Sequence, residues 1–336
     1  MDWAITAKAL IGLGTLGLLI GIILAIASVK LTVKIDPREE KVRKALPGAN
    51  CGACGYPGCD AFAAAVTKGT APVNGCKFGG ATVARKVAGI MGQEVTETEP
   101  MVAVLSCRGD KEQANDSFHY IGTSDCREAV LLLGGPKACT YGCIGLGNCE
   151  RVCPVGAIKM SEKHLPVINE DKCVGCGACI KECPKNVLLL IPKSKLVYLA
   201  CSSHDPGRAV KQVCKVGCIA CGLCVKNCPV QALKMENDLP VMDFGKCTDC
   251  GICVHKCPTK SFIDRARGRP KAVINPKCTG CGLCIKECKF HAIEGEPGKQ
   301  HKVIADKCIG CGLCYKVCPE KAIDMVGALG HARKTA

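Results

Sequence analysis

Aromatic side chains are scarce: one Trp, five Tyr and six Phe in 336 residues. Length alone suggests two or three domains, and so few rings exclude a conventional aromatic-rich core for them. No G-x-x-x-x-G-K-S/T segment occurs, so the common phosphate-cradling loop is absent. Runs of five or more Lys or Arg are missing too, and the few aromatics do not alternate with basic residues. That argues against a nucleic-acid stacking platform. The seven His are scattered, and His255 falls inside a stretch that already carries four Cys. No nucleophile–base constellation can be assembled, so no catalytic residue is nominated.

Cysteine is what the sequence has in excess, 32 residues or nearly a tenth of the chain. Small secreted proteins reach such density with disulfides. This chain is too long for that class, and its Cys recur at short fixed spacings that a disulfide framework does not need. Bound metal is the natural staple for a fold with so few large apolar groups. The formal charge of +15 fits the same view. Eight oxidised four-iron clusters with thiolate ligands would bring about −16, taking each inorganic core as about +2. The basic excess then offsets cluster charge.

Ala9 to Val29 is a 21-residue stretch without a charge, long enough to span a bilayer. Lys8 and Lys30 flank it, and Lys30, Lys34, Arg38, Lys41, Arg43 and Lys44 crowd its C-terminal side. The positive-inside rule therefore expects the rest of the chain in the cytoplasm. Ala25-Ile26-Ala27 resembles a cleavage site, but the stretch is long and its basic residues lie on the wrong side for a signal peptide. Gly12-Leu13-Gly14-Thr15-Leu16-Gly17 matches G-x-G-x-x-G letter for letter, yet it sits inside the span and not between a strand and a helix. Gly17, Gly21 and Ala25 are four apart, a spacing that admits a second membrane helix.

Five stretches carry C-x2-C-x2-C-x3-C: Cys173, Cys176, Cys179, Cys183; Cys218, Cys221, Cys224, Cys228; Cys247, Cys250, Cys253, Cys257; Cys278, Cys281, Cys284, Cys288; and Cys308, Cys311, Cys314, Cys318. Pro follows the last Cys in all but one, where Lys289 stands. This is the bacterial ferredoxin run, in which the fourth Cys ligates the neighbouring cluster. Zinc sites normally use two separated C-x2-C pairs. Starting Cys are 29, 31 and 30 residues apart from Cys218 to Cys308. Short β-rich stretches precede several runs (Leu165–Ile168, Leu239–Met242, Lys302–Ile304), and Ala157-Ile158, Ala232-Leu233, Ala292-Ile293 and Ala322-Ile323 follow. Strand, cluster loop, short helix and strand make the half-unit of a ferredoxin fold.

A sixth run is degenerate. Cys126, Cys139, Cys143, Cys149, Cys153 and Cys201, Cys214, Cys218, Cys224, Cys228 share the offsets 13, 4, 6 and 4, with Leu146 in the place of Cys221. Pairing the runs in order gives three two-cluster modules near 139–192, 214–262 and 274–326. Upstream, Leu46-Pro47-Gly48-Ala49-Asn50-Cys51-Gly52-Ala53-Cys54-Gly55-Tyr56-Pro57-Gly58-Cys59 and then Cys76 give one C-x2-C-x4-C-x16-C site, with a short Ala-rich helix expected over Asp60–Thr67. The simplest count lets Cys139 fill the Leu146 gap beside Cys143, Cys149 and Cys153. Seven four-Cys sets then close. Cys107, Cys126, Cys201 and Cys214 remain, as an eighth set or as buried free thiols.

One N-terminal span, the Cys51–Cys59 motif with Cys76, and the ferredoxin runs together resemble the B-subunit family of Rnf complexes over essentially the whole chain. The family has one two-cluster module in its shortest members, whereas three are expected here. The resemblance implies an iron–sulfur electron-transfer component of an ion-translocating ferredoxin:NAD+ oxidoreductase in the bacterial cell (inner) membrane. It implies soluble ferredoxin as donor and the A, C, D, E and G subunits of Rnf as partners. The competing reading is the electron-transfer component of another membrane oxidoreductase, a hydrogenase or a formate-oxidising complex. The expected fold class is α+β: a transmembrane helix (1–30), a basic linker (31–45), a four-Cys iron–sulfur domain (46–100), ferredoxin-like modules at 101–200, 201–265 and 266–326, and a tail (327–336). Lys181, Lys226, Lys256, Lys286 and Lys316 lie within the runs, either to steer an acidic donor or only to offset cluster charge.

Overall fold

The computed structural model describes residues 3–30, 36–95, 99–266 and 268–326. Residues 31–35, Lys34 among them, and the tail at 327–336 lie outside the described residues. The chain divides into two units, Met1–Thr96 and Glu97–Ala336.

The first unit begins with a helix over Trp3–Lys30. Its segment Leu10–Ser28 is the one described helix long and apolar enough to cross a membrane. A Cβ built on Gly17 or Gly21 would meet open space, so that face can accept a close neighbour. The expected basic linker is partly a helix, Pro37–Ala45. Pro37 sets its first turn, and the Asp36 carboxylate accepts the Arg38 N–H at 2.8 Å. Its charged residues face water while Val42 and Leu46 are buried against Phe62, Ala63, Val66 and Val87. The short helix expected after the motif runs Cys59–Thr67. A third, Gly80–Met91, ends on Gly92 in the left-handed region (φ 66°).

The second unit mixes short helices with six two-stranded antiparallel sheets among the described residues. Three long-range pairs bracket the chain into successive segments: Met101–Leu105 with Leu188–Pro192, Val197–Leu199 with Phe262–Asp264, and Lys271–Ile274 with Ile323–Val326. Nested inside each is a hairpin: Ile158–Met160 with Pro166–Ile168, Leu233–Glu236 with Leu239–Met242, and Ile293–Glu294 with Lys302–Val303. Helices of four or five residues, such as Leu223–Lys226 and Leu313–Val317, carry the third Cys of each run. Each starts after a glycine in the left-handed region, for example Gly222 at φ 67° and Gly312 at φ 73°. That glycine follows the second Cys directly and reverses the chain so that the third thiol returns to the same point. The cores are small and mix aliphatic residues with thiols; Ala272, Cys284, Ile293, Cys314 and Ile323 form one. Such cores leave much of the stability to whatever the thiols bind.

Candidate metal centres

Cys51, Cys54, Cys59 and Cys76 line one cavity of about 350 Å³ in the first unit. Asn50 Oδ1 accepts the Cys59 N–H at 2.8 Å, which fixes the start of the Cys59–Thr67 helix at the cavity edge. The Gly79 N–H donates to Cys76 Sγ at 3.4 Å. Burial pushes the Cys76 thiol up, against that hydrogen bond.

In the second unit the fourth Cys of one run sits with the first three of another. Cys228 lines a cavity of about 340 Å³ with Cys247, Cys250 and Cys253. Cys288 lines one of about 370 Å³ with Cys308, Cys311 and Cys314. The crossing is reciprocal. Burial, reinforced by the charges of Cys224, Cys257 and Cys221, pushes Cys218 up to about 11. Burial and the charges of Cys176, Cys173, Cys149 and Cys153 push Cys179 up to about 12. Cys278, Cys281 and Cys284 gather likewise, with Cys318 in the same core.

Four thiols lining one cavity suit a cubane, which offers four separate metal corners. Among the described residues no three His, Cys, Asp or Glu side chains close on a single ion, as a zinc site with short Zn–S bonds would require. Buried thiols pushed this high stay protonated until a multivalent cation core inverts the balance. The backbone is also ready for thiolates. Sγ of Cys153, Cys228, Cys257, Cys288 and Cys318 each accepts the N–H four residues on, from Ala157, Ala232, Ser261, Ala292 and Ala322, at 3.2–3.3 Å. All five donors are at most 2% exposed. The recurrent Ala before Ile or Leu is therefore a close-packed N–H donor standing just ahead of a strand.

The structure corrects the grouping expected for the degenerate run. Cys126, not Cys139, lies with Cys143, Cys149 and Cys183 around a cavity of about 390 Å³. Cys139 lies with Cys107, Cys201 and Cys214 around another of about 400 Å³. Cys126 opens a helix, Cys126–Leu131, capped by Asp125. Buried Asn148 accepts its N–H at 2.8 Å and donates to Asp125 and Glu182. Arg127 pairs with Glu182 at 2.8 Å. Cys139 is held elsewhere by a backbone ladder: Ala138 N–H to Asn115 O at 3.0 Å, Asn115 N–H to Val213 O at 2.9 Å, and Lys215 N–H to Gln113 O at 2.8 Å. That ladder sets it beside Cys214.

The internal equivalence is thus Cys107 with Cys201 and Cys139 with Cys214. Cys143 N–H donates to Cys107 Sγ at 3.4 Å, and Cys218 N–H donates to Cys201 Sγ at 3.3 Å. The offset between the paired Cys is 32 in the first copy and 13 in the second, and the 19 extra residues carry Cys126. The insertion brings Cys126 to the cavity that Leu146 leaves with three thiols. The shared offset of 13 that aligned Cys126 with Cys201 is a coincidence. Leu105-Ser106-Cys107 against Leu199-Ala200-Cys201, each just after a strand, is the signal that sequence reasoning missed.

These sets neighbour one another in series. Cys149 bears on Cys179, and Cys143 meets Cys107. Cys201 meets Cys218, Cys224 bears on Cys253, Cys250 bears on Cys311, and Cys314 shares one core with Cys284. Lys256 Nζ to Lys289 O at 3.3 Å, and Lys289 Nζ to Asn227 O at 3.4 Å, fasten the last two segments. Of the five lysines named from sequence, Lys181, Lys226, Lys286 and Lys316 are exposed. Lys256 lies instead over the Phe290 ring, 4.9 Å from its centroid. His255 meets the same ring edge-on at 5.9 Å.

Comparison with known proteins bears on the same residues. A family model described as a 4Fe-4S dicluster domain matches residues 272–325, another so described matches 138–187 and 217–261, and one for an Fe-S cluster matches 46–78. Cys107, Cys126, Cys201 and Cys214 lie outside all of these stretches. The chain is 45% identical over 235 residues to the B subunit of the Na(+)-translocating ferredoxin:NAD(+) oxidoreductase complex of Acetobacterium woodii, covering 70% of this chain and 71% of that one. It is 42% identical over 236 residues to the B subunit of the ion-translocating oxidoreductase complex of Methanosarcina acetivorans, covering 70% and 89%. Identity to the B subunit of the proton-translocating ferredoxin:NAD(+) oxidoreductase complex of Clostridium ljungdahlii is 47% over 233 residues, covering 69% and 82%.

Proposed function

The chain belongs to the family of B subunits of ion-translocating oxidoreductase complexes, and from that premise we propose that it relays electrons from reduced ferredoxin through eight four-thiol sites toward membrane-embedded partners. A [4Fe-4S] cluster held at each site supplies one-electron storage there. The chain's own part is to hold the sites in order, exclude water from them and set their potentials through N–H···S bonds and burial. No bond of a substrate is made or broken by its side chains.

The observation that carries this reading is the succession of neighbouring thiol sets in the second unit. Cys107, Cys139, Cys201 and Cys214 draw two thiols from each of two successive segments. They occupy the place where a tandem of separate modules would otherwise leave a gap. The eighth site is thus the junction that makes one wire of seven sites, three modules long. The relatives' names supply ferredoxin and NAD+ as the ends of the reaction, and the apolar helix supplies the membrane attachment. Basic residues after the span, Lys30, Arg38, Lys41, Arg43 and Lys44, support a cytoplasmic side for the thiol-bearing units. The A, C, D, E and G subunits of such a complex are the partners this assigns.

The test is an anaerobic iron and sulfide count on the purified chain, followed by mixing with reduced ferredoxin. Eight cubane sites require about 32 Fe and 32 sulfide, and ferredoxin should bleach the iron–sulfur absorbance. A count near 28 removes the junction site, and absorbance indifferent to ferredoxin removes the relay.

A further inference from the structure

The hairpins nested in the three segments repeat one residue pair and then break it. Met160 pairs with Pro166, and Met235 with Pro240. Each proline is buried and stands seven residues before the first Cys of the next run, Cys173 or Cys247. Pro166 and Met160 line the cavity of Cys126, Cys143, Cys149 and Cys183. In the third hairpin the position seven residues before Cys308 is His301. One step beyond the paired Glu294 and Lys302, Gly295 stands opposite it in place of methionine.

The exchange is matched. A Cβ on Gly295 would lie 2.2 Å from His301 Cδ2, so only glycine leaves room for the ring. His301 is 3% exposed, and its Nδ1 lies 3.3 Å from Cys284 Sγ. Cys284 is the third Cys of its run, as Cys149 and Cys224 are of theirs. His301 Nε2 is buried without a partner. Burying an imidazole with one nitrogen unpaired carries a cost that proline does not, and the contact with sulfur is what the ring gains. A thiolate only accepts, so the proton is assigned to Nδ1.

We propose that His301 is a positioning residue whose Nδ1–H donates to the Cys284 thiolate, holding the site of Cys278, Cys281, Cys284 and Cys318 at a higher potential than its counterparts in the other two segments. Reduction adds negative charge at the ligand sulfurs, and a hydrogen-bond donor there stabilises the reduced form. Proline at the equivalent position offers no donor. The site ends the series, and its Cys281 is exposed. A raised potential there makes the solvent-facing end the place where an arriving electron is retained before it moves inward. The use made of this potential rests on the relay reading; the hydrogen bond does not.

The experiment is an anaerobic potentiometric EPR titration of the full chain, as wild type, as Gly295→Met/His301→Pro and as His301→Gln. The double variant installs the pair that the sister hairpins already carry. At a fixed potential its reduced-to-oxidised ratio should fall about tenfold at one site, equivalent to about 59 mV for one electron. His301→Gln keeps a side-chain N–H and should stay within about twofold of wild type. Wild type labelled with 15N-histidine should show one histidine nitrogen coupled to a reduced site, and the double variant should lose it. A double variant that titrates as wild type overturns the proposal, as does wild type without that coupling. Should the double variant bind less iron, the wild-type coupling decides alone. If ferredoxin fails to reduce wild type while the coupling is present, the relay reading falls and His301 stands.

Discussion

Cys126 and Cys139 differ in what holds them. Asn148 and the Asp125 cap fix Cys126 beside Cys143, while a backbone ladder fixes Cys139 beside Cys214. The two groupings therefore predict different double variants. Cys139→Ala/Cys201→Ala removes two thiols of one site and should lose about four iron atoms. Cys126→Ala/Cys201→Ala strikes two sites and should lose about eight. Iron counts on anaerobically purified variants check this, and the reverse ranking would restore the grouping drawn from sequence spacing. The five regular runs and the Cys51 motif were legible because local spacing brings the first three thiols of each together. The junction was not, because its four Cys come from two segments, with Cys107 and Cys201 94 residues apart. Their company depends on strand pairing that no local spacing encodes.

At the scale of elements, the helices and hairpins were visible as patterns, but their partners were not. Met101–Leu105 and Leu188–Pro192 each read as apolar runs, and nothing in either names the other. Pro37–Ala45 escaped notice as a helix because Val42 is its one buried residue. The glycines within the runs separate two demands that sequence shows as one letter. Gly222 has φ 67° and open space for a Cβ, so Gly222→Ala bears only the left-handed strain, about 1–2 kcal/mol. Gly310 has φ 71°, and a Cβ there would lie 2.1 Å from Pro270 O. Gly310→Ala must also move backbone against the strand that opens the third segment. It should lower the midpoint of thermal loss of iron–sulfur absorbance by clearly more than Gly222→Ala. Equal midpoints would mean that the close approach is not a constraint in solution.

For the whole molecule, the direction of electron flow follows from reach. Twenty residues, 31–50, separate the end of the spanning helix from Cys51. Nine of them form a helix, so the site of Cys51, Cys54, Cys59 and Cys76 lies within on the order of 50 Å of the span's end even with the rest extended. The second unit instead carries seven sites in series, with exposed lysines in several runs to meet an acidic donor. Electrons should therefore enter through the second unit and leave through the membrane-proximal site to an embedded partner. Cys54→Ala in the assembled complex separates entry from exit. Ferredoxin should still reduce the remaining sites of this chain at close to the wild-type extent, because none of them depends on Cys54. Ferredoxin-driven NAD+ reduction by the complex should collapse, because the step off this chain is gone. Continued NAD+ reduction at the wild-type rate would put the membrane-proximal site off the path and require an exit from the second unit directly.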